Sequence, residues 1–234
     1  MSKKLAIMQP YFFPYLGYWQ MINAVDKFVI YDDVNFIKGG WINRNNMLIN
    51  GCGHLFTLPL LEASPYKHIN EIKITNNEKQ KQKLLKSFEI SYSKAPYKND
   101  VMALLEDIIL QKEENLNLFL KYQFEKVFEY LNINTEILLS SDIEKTDNLH
   151  AQDRVIDICK RLNTTQYINA IGGQELYSKE DFAKNGIQLN FIKMNEIKYK
   201  QFNNEFVPNL SIIDVMMFNS PEQIKEMLND FELL

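Results

Sequence analysis

Arginine is scarce in this 234-residue chain, occurring only at Arg44, Arg154 and Arg161. Acid outnumbers base, for a net charge of −4, so no broad basic field exists to hold a nucleic acid. Cysteine is limited to Cys52 and Cys159, far apart in the chain, which fits a reduced protein better than a disulfide framework. His54, His68 and His150 have no metal-ligand spacing among themselves, and two cysteines do not complete a zinc set. With eight glycines, the chain has no GxxxxGK[ST] phosphate loop and no GxGxxG after its first apolar run. HExxH and GxSxG are absent too, which removes the commonest zinc-protease and serine-hydrolase readings. No apolar run approaches the length of a membrane span, and Leu5–Met8 is too short for a secretory signal. The expectation is a cytoplasmic protein with neither membrane nor nucleic acid as partner and no bound metal. Asp32-Asp33 is the one pair suited to Mg²⁺, and paired acids after a strand also serve as loop caps.

What is present suits a folded α/β chain. A hydrophobic content of 46% with 24% charged residues excludes general disorder. Leu5–Met8 and Lys27–Tyr31 read as buried strands, separated by a proline-marked turn and a helix starting near Tyr15, the spacing of a βαβ unit. Asn50-Gly51 is a hairpin signal joining 47–49 to a strand over 54–60, and Ile69–Thr75 alternates like another strand. Apolar stripes over about 77–131 predict helices, interrupted at Ala95-Pro96-Tyr97. Further strands are expected at 135–139, 167–168 and 189–192, with a helix over 149–162. Ser178 and Ser220 look like helix caps, Ser220 followed by Pro221 and a capping-box Gln223. The last helix is expected to run to about Phe231. The fold expected is a Rossmann-like parallel sheet with an antiparallel excursion and a helical insertion, in a single domain spanning 1–234.

Three stretches rise above background. Gln9 to Gln20 packs aromatics between two prolines; Phe12, Phe13 and Trp19 suit a core, while Gln9 and Tyr11 stand where such sheets bind ligands. From Asp32 to Asn46, Asp33, Lys38, Trp41 and Arg44 bring two cations, one acid and a stacking surface into one loop, with Asn43 beside them. The alternative is a solvated loop with Trp41 tucked into the core. After the strand near Tyr167, Gly172, Gly173 and Gln174 form a turn whose amides can meet an anion, or merely a tight turn. Asp33 is the sequence candidate for a general base and Lys38 for stabilising an oxyanion or leaving phosphate; Asp32 points to the opposite strand face and reads as structural.

The segments MQPYFFPYLGYWQMINAVDKFVIYDDVNFIKGGWINRN, YINAIGGQELYSKEDFAKNGIQLNF and FVPNLSIIDVMMFN resemble the WbqC-like family, in order and over nearly the whole chain. Members lie largely in bacterial surface-polysaccharide gene clusters. The resemblance implies a transferase that forms an amide, aminoacyl or acyl and in one proposal glycyl, on a nucleotide-linked amino sugar. Tyr15-Leu16-Gly17-Tyr18 also occupies the place of the HxGH signature of nucleotidylyltransferase-like folds, and the outline is similar to pantothenate synthetase. That likeness implies ATP or another activated acyl donor as co-substrate, although both histidines are tyrosines here. A non-catalytic nucleotide- or sugar-binding module and a nucleotidyltransferase-like enzyme stand as alternatives. The oligomeric state, a homodimer included, is open.

Overall fold

The computed structural model describes residues 3–203 and 205–234. Its centre is a six-stranded sheet. In chain order these strands are β1 (Lys4–Met8), β2 (Lys27–Ile30), β7 (Glu136–Leu139), β8 (Gln166–Ala170), β9 (Gln188–Met194) and β10 (Phe231–Leu233). Their spatial order is β10-β9-β8-β1-β2-β7, all neighbours parallel except β10 on β9. Counted along the chain this is 6-5-4-1-2-3, the doubly wound order whose direction reverses between β1 and β8. Ligands of such sheets bind beyond the strand carboxyl ends at that reversal. The adjacent parallel pairing of β1 and β2 agrees with the βαβ spacing in the sequence.

Strand alternation divides the core in two. On one face Leu5, Ile7, Val29 and Leu189 pack against α5 (Ala151–Arg161) and α6 (Lys179–Lys184) through Val155, Ile158, Cys159 and Phe182. On the other, Ala6, Phe28, Ile30 and Ile168 meet α1 (Leu16–Asn23), the insertion helices α2 (Glu78–Ser91), α3 (Lys98–Leu110) and α4 (Leu116–Leu131), then α7 (Ile212–Phe218) and α8 (Pro221–Met227). The antiparallel excursion is two separate hairpin pairs, β3 (Arg44–Ile49) with β4 (Cys52–Thr57), and β5 (Leu60–Leu61) with β6 (Lys73–Ile74). Asn50 and Gly51 both have positive φ, as a two-residue hairpin turn requires. Ser220 forms the expected capping box with Gln223, and Ser178 accepts from the Asp181 amide.

Two expectations are corrected and one helix is added. Ile69–Thr75 is not one strand: Ile69–Glu71 is a 3₁₀ turn and only Lys73–Ile74 pairs. Ile69, Ile72 and Ile74 are all buried, so the spacing is three and then two, a turn followed by a strand. The last helix stops at Met227, and Phe231–Leu233 returns as the antiparallel edge strand β10. Ile212–Phe218 forms a helix that the sequence pattern did not single out.

Candidate functional site

The chain leaving β1 turns through Tyr11–Pro14 under unusual constraint. Phe13 adopts a left-handed backbone conformation, φ 45°, which a non-glycine residue keeps only when its surroundings over-determine it. Those surroundings are three buried polar side chains. Gln123 of α4 accepts from the Phe13 amide at 2.9 Å and donates to the Tyr11 carbonyl at 3.2 Å. Asn45 of β3 donates to the Phe12 and Phe13 carbonyls, and the Ser211 hydroxyl donates to the Phe13 carbonyl at 2.8 Å. Phe12, Phe13 and Trp19 are fully buried, as the sequence suggested. Trp19 donates through its indole to the Pro14 carbonyl and packs on Phe124 and Phe128.

This anchored turn forms one wall of a cavity of about 320 Å³, lined by Tyr11, Pro14, Tyr15, Trp41, Asn45 and Asn209. That volume falls at the lower end of ligand pockets. The Trp41 ring is partly exposed there, and its backbone carbonyl accepts from the Phe12 amide at 3.1 Å. Arg44 holds the loop below it: Nε donates to the Gly40 carbonyl at 3.0 Å, Nη2 to the Gly39 carbonyl, and the guanidinium lies 6.0 Å from the Trp41 ring centroid. The Asn45 amide is fully engaged with backbone. The Tyr11 and Tyr15 hydroxyls and the Asn209 side chain carry no hydrogen bond among the described residues, so they are the polar groups offered to a ligand. Burial raises the proton affinity of both phenols, and the neighbouring Tyr15 adds to the effect at Tyr11. Both therefore remain neutral donors and acceptors near neutral pH.

Tyr15 depends on a glycine. A Cβ at Gly17 would sit 2.6 Å from Tyr15 Cε2, so Gly17→Ala must displace the ring from the cavity wall. Helix propensity favours the alanine by about 1 kcal/mol, which offsets part of the clash. Gly17→Ala should therefore change ligand affinity more than melting temperature, a comparison calorimetry and thermal unfolding make on the same samples.

The other half of the sheet edge is ionic. Asp32 is buried and structural: Asn117 Nδ2 and Ser141 Oγ each donate to it at 2.7 Å, and the Ser141 amide at 2.9 Å. Asp33 accepts from Ser140 Oγ at 2.6 Å and pairs with Lys145 Nζ at 2.9 Å and Arg154 Nη2 at 2.6 Å. Burial alone would push its carboxyl up; the Ser140 hydrogen bond and the two cations outweigh this and hold it below the ordinary value. The same arrangement makes Asp33 a poorer proton acceptor than a free carboxylate, which weighs against the general-base role expected of it. The sign for stability follows. The contribution of Asp33 is fully present above the unfolded carboxyl value, roughly pH 4, and is lost as pH falls through the lower folded value. Asp33→Asn should reduce stability at neutral pH by about 1–3 kcal/mol and flatten that part of the acid limb, as read from unfolding curves across pH.

The remaining sequence candidates scatter. Asn43 Nδ2 donates to the Leu58 carbonyl at 2.9 Å, tying the loop to the end of β4. Lys38 is exposed on the Trp41 loop with no partner among the described residues. Gln9 follows β1, and its carbonyl accepts from the Tyr18 hydroxyl at 2.7 Å. A Cβ at Gly173 would meet Asn169 Nδ2 at 2.6 Å and make that side chain shift, whereas a Cβ at Gly172 would meet nothing within 4 Å. Gln174 is exposed at the end of the 3₁₀ turn Ile171–Gly173. Of the expected residues, the cavity brings together Tyr11 and Trp41; Tyr15, marked in the sequence by its HxGH-like place, joins them, and Asn45 and Asn209 do so unforeseen.

Among the described residues no group of three or more His, Cys, Asp or Glu side chains is placed to hold a metal ion. The Tyr15–Tyr18 segment does not fit a nucleotide triphosphate in the manner of HxGH: Tyr18 is buried with its hydroxyl on the Gln9 carbonyl, and Tyr15 is a neutral phenol.

Fold and cavity together define an α/β protein on a mostly parallel sheet, with an aromatic pocket beside the turn that follows its first strand. The chain belongs to the WbqC-like protein family, whose model matches residues 9–226. It is 28% identical over 220 residues to the uncharacterized protein Rv1507c of Mycobacterium tuberculosis (strain ATCC 25618 / H37Rv), a match covering 93% of this chain and 94% of the relative. No solved structure matches the chain.

Proposed function

We propose that the protein is a transferase that forms an amide on a nucleotide-linked amino sugar, with the sugar ring seated against Trp41 between Tyr11 and Tyr15. The observation carrying this reading is the cavity itself. A stacking indole beside two neutral, unpartnered phenols and an unpartnered Asn209 amide is the combination a ring rich in hydroxyl groups calls for. The cavity's lining includes no carboxylate or histidine. The chain therefore contributes chiefly by positioning the sugar amine and excluding water: the amine nitrogen attacks the carbonyl of an activated acyl donor, the bond from that carbonyl to its leaving group breaks, and the amine proton leaves with the departing group or to solvent. Lys38, exposed on the Trp41 loop, is the sequence candidate for meeting a leaving anionic group. Among the described residues no helix is long and apolar enough to cross a membrane, and both cysteines are free, which supports action in the reducing cytoplasm.

The same lack of an acid–base group in the cavity favours one competing reading, a binding module without chemistry. Incubating purified protein with amino-sugar nucleotides and glycine or acyl donors, with and without ATP, separates the two by product mass. A mass gain matching amide formation supports the transferase. Saturable sugar binding with no product from any donor supports the module.

A further inference from the structure

We propose that Arg154 is the receptor for an oxyanion of the bound ligand, a carboxylate or a phosphate, at the carboxyl edge of the sheet. Which molecule supplies the oxyanion rests on the transferase reading; the receptor itself does not.

Arg154 stands in the first turn of α5, with its side chain 22% exposed. Its Nη2 reaches Asp33 Oδ2 at 2.6 Å and the Asp33 carbonyl at 3.4 Å, and the guanidinium lies 5.4 Å from the Tyr31 ring centroid. One edge of the guanidinium is thus clamped by a carboxylate and one face by a ring. Nε and Nη1 have no partner among the described residues. Lys145 is in the opposite condition. Its ammonium meets Asp33 Oδ2 at 2.9 Å, the Ile143 carbonyl at 2.8 Å and the Ser140 carbonyl, which uses all three of its donors.

Asp33 is shared by two cations, and of these only Arg154 has N–H groups left to direct at a further anion. A guanidinium already fixed on one side and open on the other loses little freedom when a planar or tetrahedral oxyanion docks on its remaining fork. The location agrees with this role. Asp33 follows the carboxyl end of β2 and Ser140 that of β7, while the open space at Gly172 follows that of β8. Asp33 then acts as a positioning residue that aims Arg154.

The test is calorimetric titration of the full chain with inorganic pyrophosphate and, separately, glycine, for wild type, Arg154→Gln and Arg154→Lys, with thermal unfolding recorded on each sample. Arg154→Gln should weaken binding of one probe by about tenfold or more while the protein stays folded at the assay temperature. Loss with pyrophosphate assigns a phosphate, and loss with glycine a carboxylate. Arg154→Lys keeps the charge opposite Asp33 but not the fork, and should recover only part of the affinity. It decides the matter if the glutamine form does not fold. Equal affinities in wild type and the folded variants, or no binding of either probe to wild type, overturn the proposal. A negative amide assay alongside a loss of binding in Arg154→Gln would sink the transferase reading and leave this site standing.

Discussion

Asp214→Ala should lower stability by about 3 kcal/mol or more, since each buried donor left without an acceptor costs roughly 1–3 kcal/mol. Asp214 is fully buried in the first turn of α7, with no cation paired to it among the described residues. Three neutral donors hold its carboxylate: Tyr92 OH at 3.0 Å, Tyr199 OH at 2.7 Å and Gln201 Nε2 at 2.7 Å. Tyr92 in turn accepts from the Leu48 amide of β3, and Gln201 exchanges hydrogen bonds with the Val207 backbone. One carboxylate thus ties α7, the end of α2, β3 and the segment leading to Asn209 of the cavity. Alanine would leave these donors without an acceptor in a dry interior. Asp214→Asn keeps the shape and one acceptor and should cost about 1 kcal/mol.

The pH dependence gives a second readout. Burial raises the Asp214 carboxyl above its ordinary value, only partly countered by the hydrogen bonds from Tyr199, Gln201 and Tyr92. Its advantage to the folded state is therefore complete below the unfolded value, roughly pH 4, and is lost as pH rises through the folded value. That slope is opposite to the one Asp33 produces. Asp214→Asn should remove it while Asp33→Asn leaves it in place; denaturant titrations across the acid range, each compared with wild type, show which carboxylate owns which slope.

Trp41→Ala should weaken binding of a nucleotide-linked amino sugar by about 10–100-fold, corresponding to about 1.4–2.8 kcal/mol of lost ring contact. Its effect on stability should be small, because Trp41 is 43% exposed and packs at the cavity rim, not in the core. Arg44→Ala should act in the same direction and less strongly, since Arg44 holds the Gly39 and Gly40 carbonyls of the loop that carries the ring. Arg44→Lys should recover part of this, because a lysine can reach a carbonyl but cannot fork to two. Isothermal titration of the three variants with one ligand checks the order. Equal affinity of Trp41→Ala and wild type would remove the indole from the site.

The parallel core was legible because β1 and β2 are continuous apolar runs with a proline-marked turn between them, a pattern local sequence determines. β10 was not, because Phe231–Leu233 is short, carries Glu232 and becomes a strand only by pairing with Ile192–Met194 of β9. α7 was hidden for a different reason. Ile212 to Met217 are all buried, so no polar face marks the helical period. The site divides in the same way. Tyr11 and Trp41 announced themselves as aromatics beside strand ends and glycine turns. Asn209 reaches the cavity through contacts between distant parts of the chain: the β-bridge between Tyr15 and Ser211, the Ser211 hydroxyl on the Phe13 carbonyl and the hydrogen bond from the Ile212 amide to the Pro14 carbonyl. Two polar residues stand out against apolar neighbours in the sequence. Gln123 is a polar residue on the apolar stripe of Phe119, Leu120, Phe124 and Val127, and Asp214 is a lone charge inside IIDVMMF. Gln123 organises the backbone of the turn that walls the cavity, and Asp214 gathers the donors of Tyr92, Tyr199 and Gln201.

The chain's two tryptophans make the central claim, that the aromatic cavity is the ligand site, directly measurable. Trp19 is fully buried and Trp41 lies at the cavity. Tryptophan emission of wild type and Trp41→Phe would be followed during titration with a panel of nucleotide-linked amino sugars, with calorimetry in parallel. A saturable emission change in wild type that is absent from Trp41→Phe is the predicted result. Calorimetric binding with unchanged wild-type emission, or a change that persists in Trp41→Phe, would place the ligand elsewhere and contradict the account.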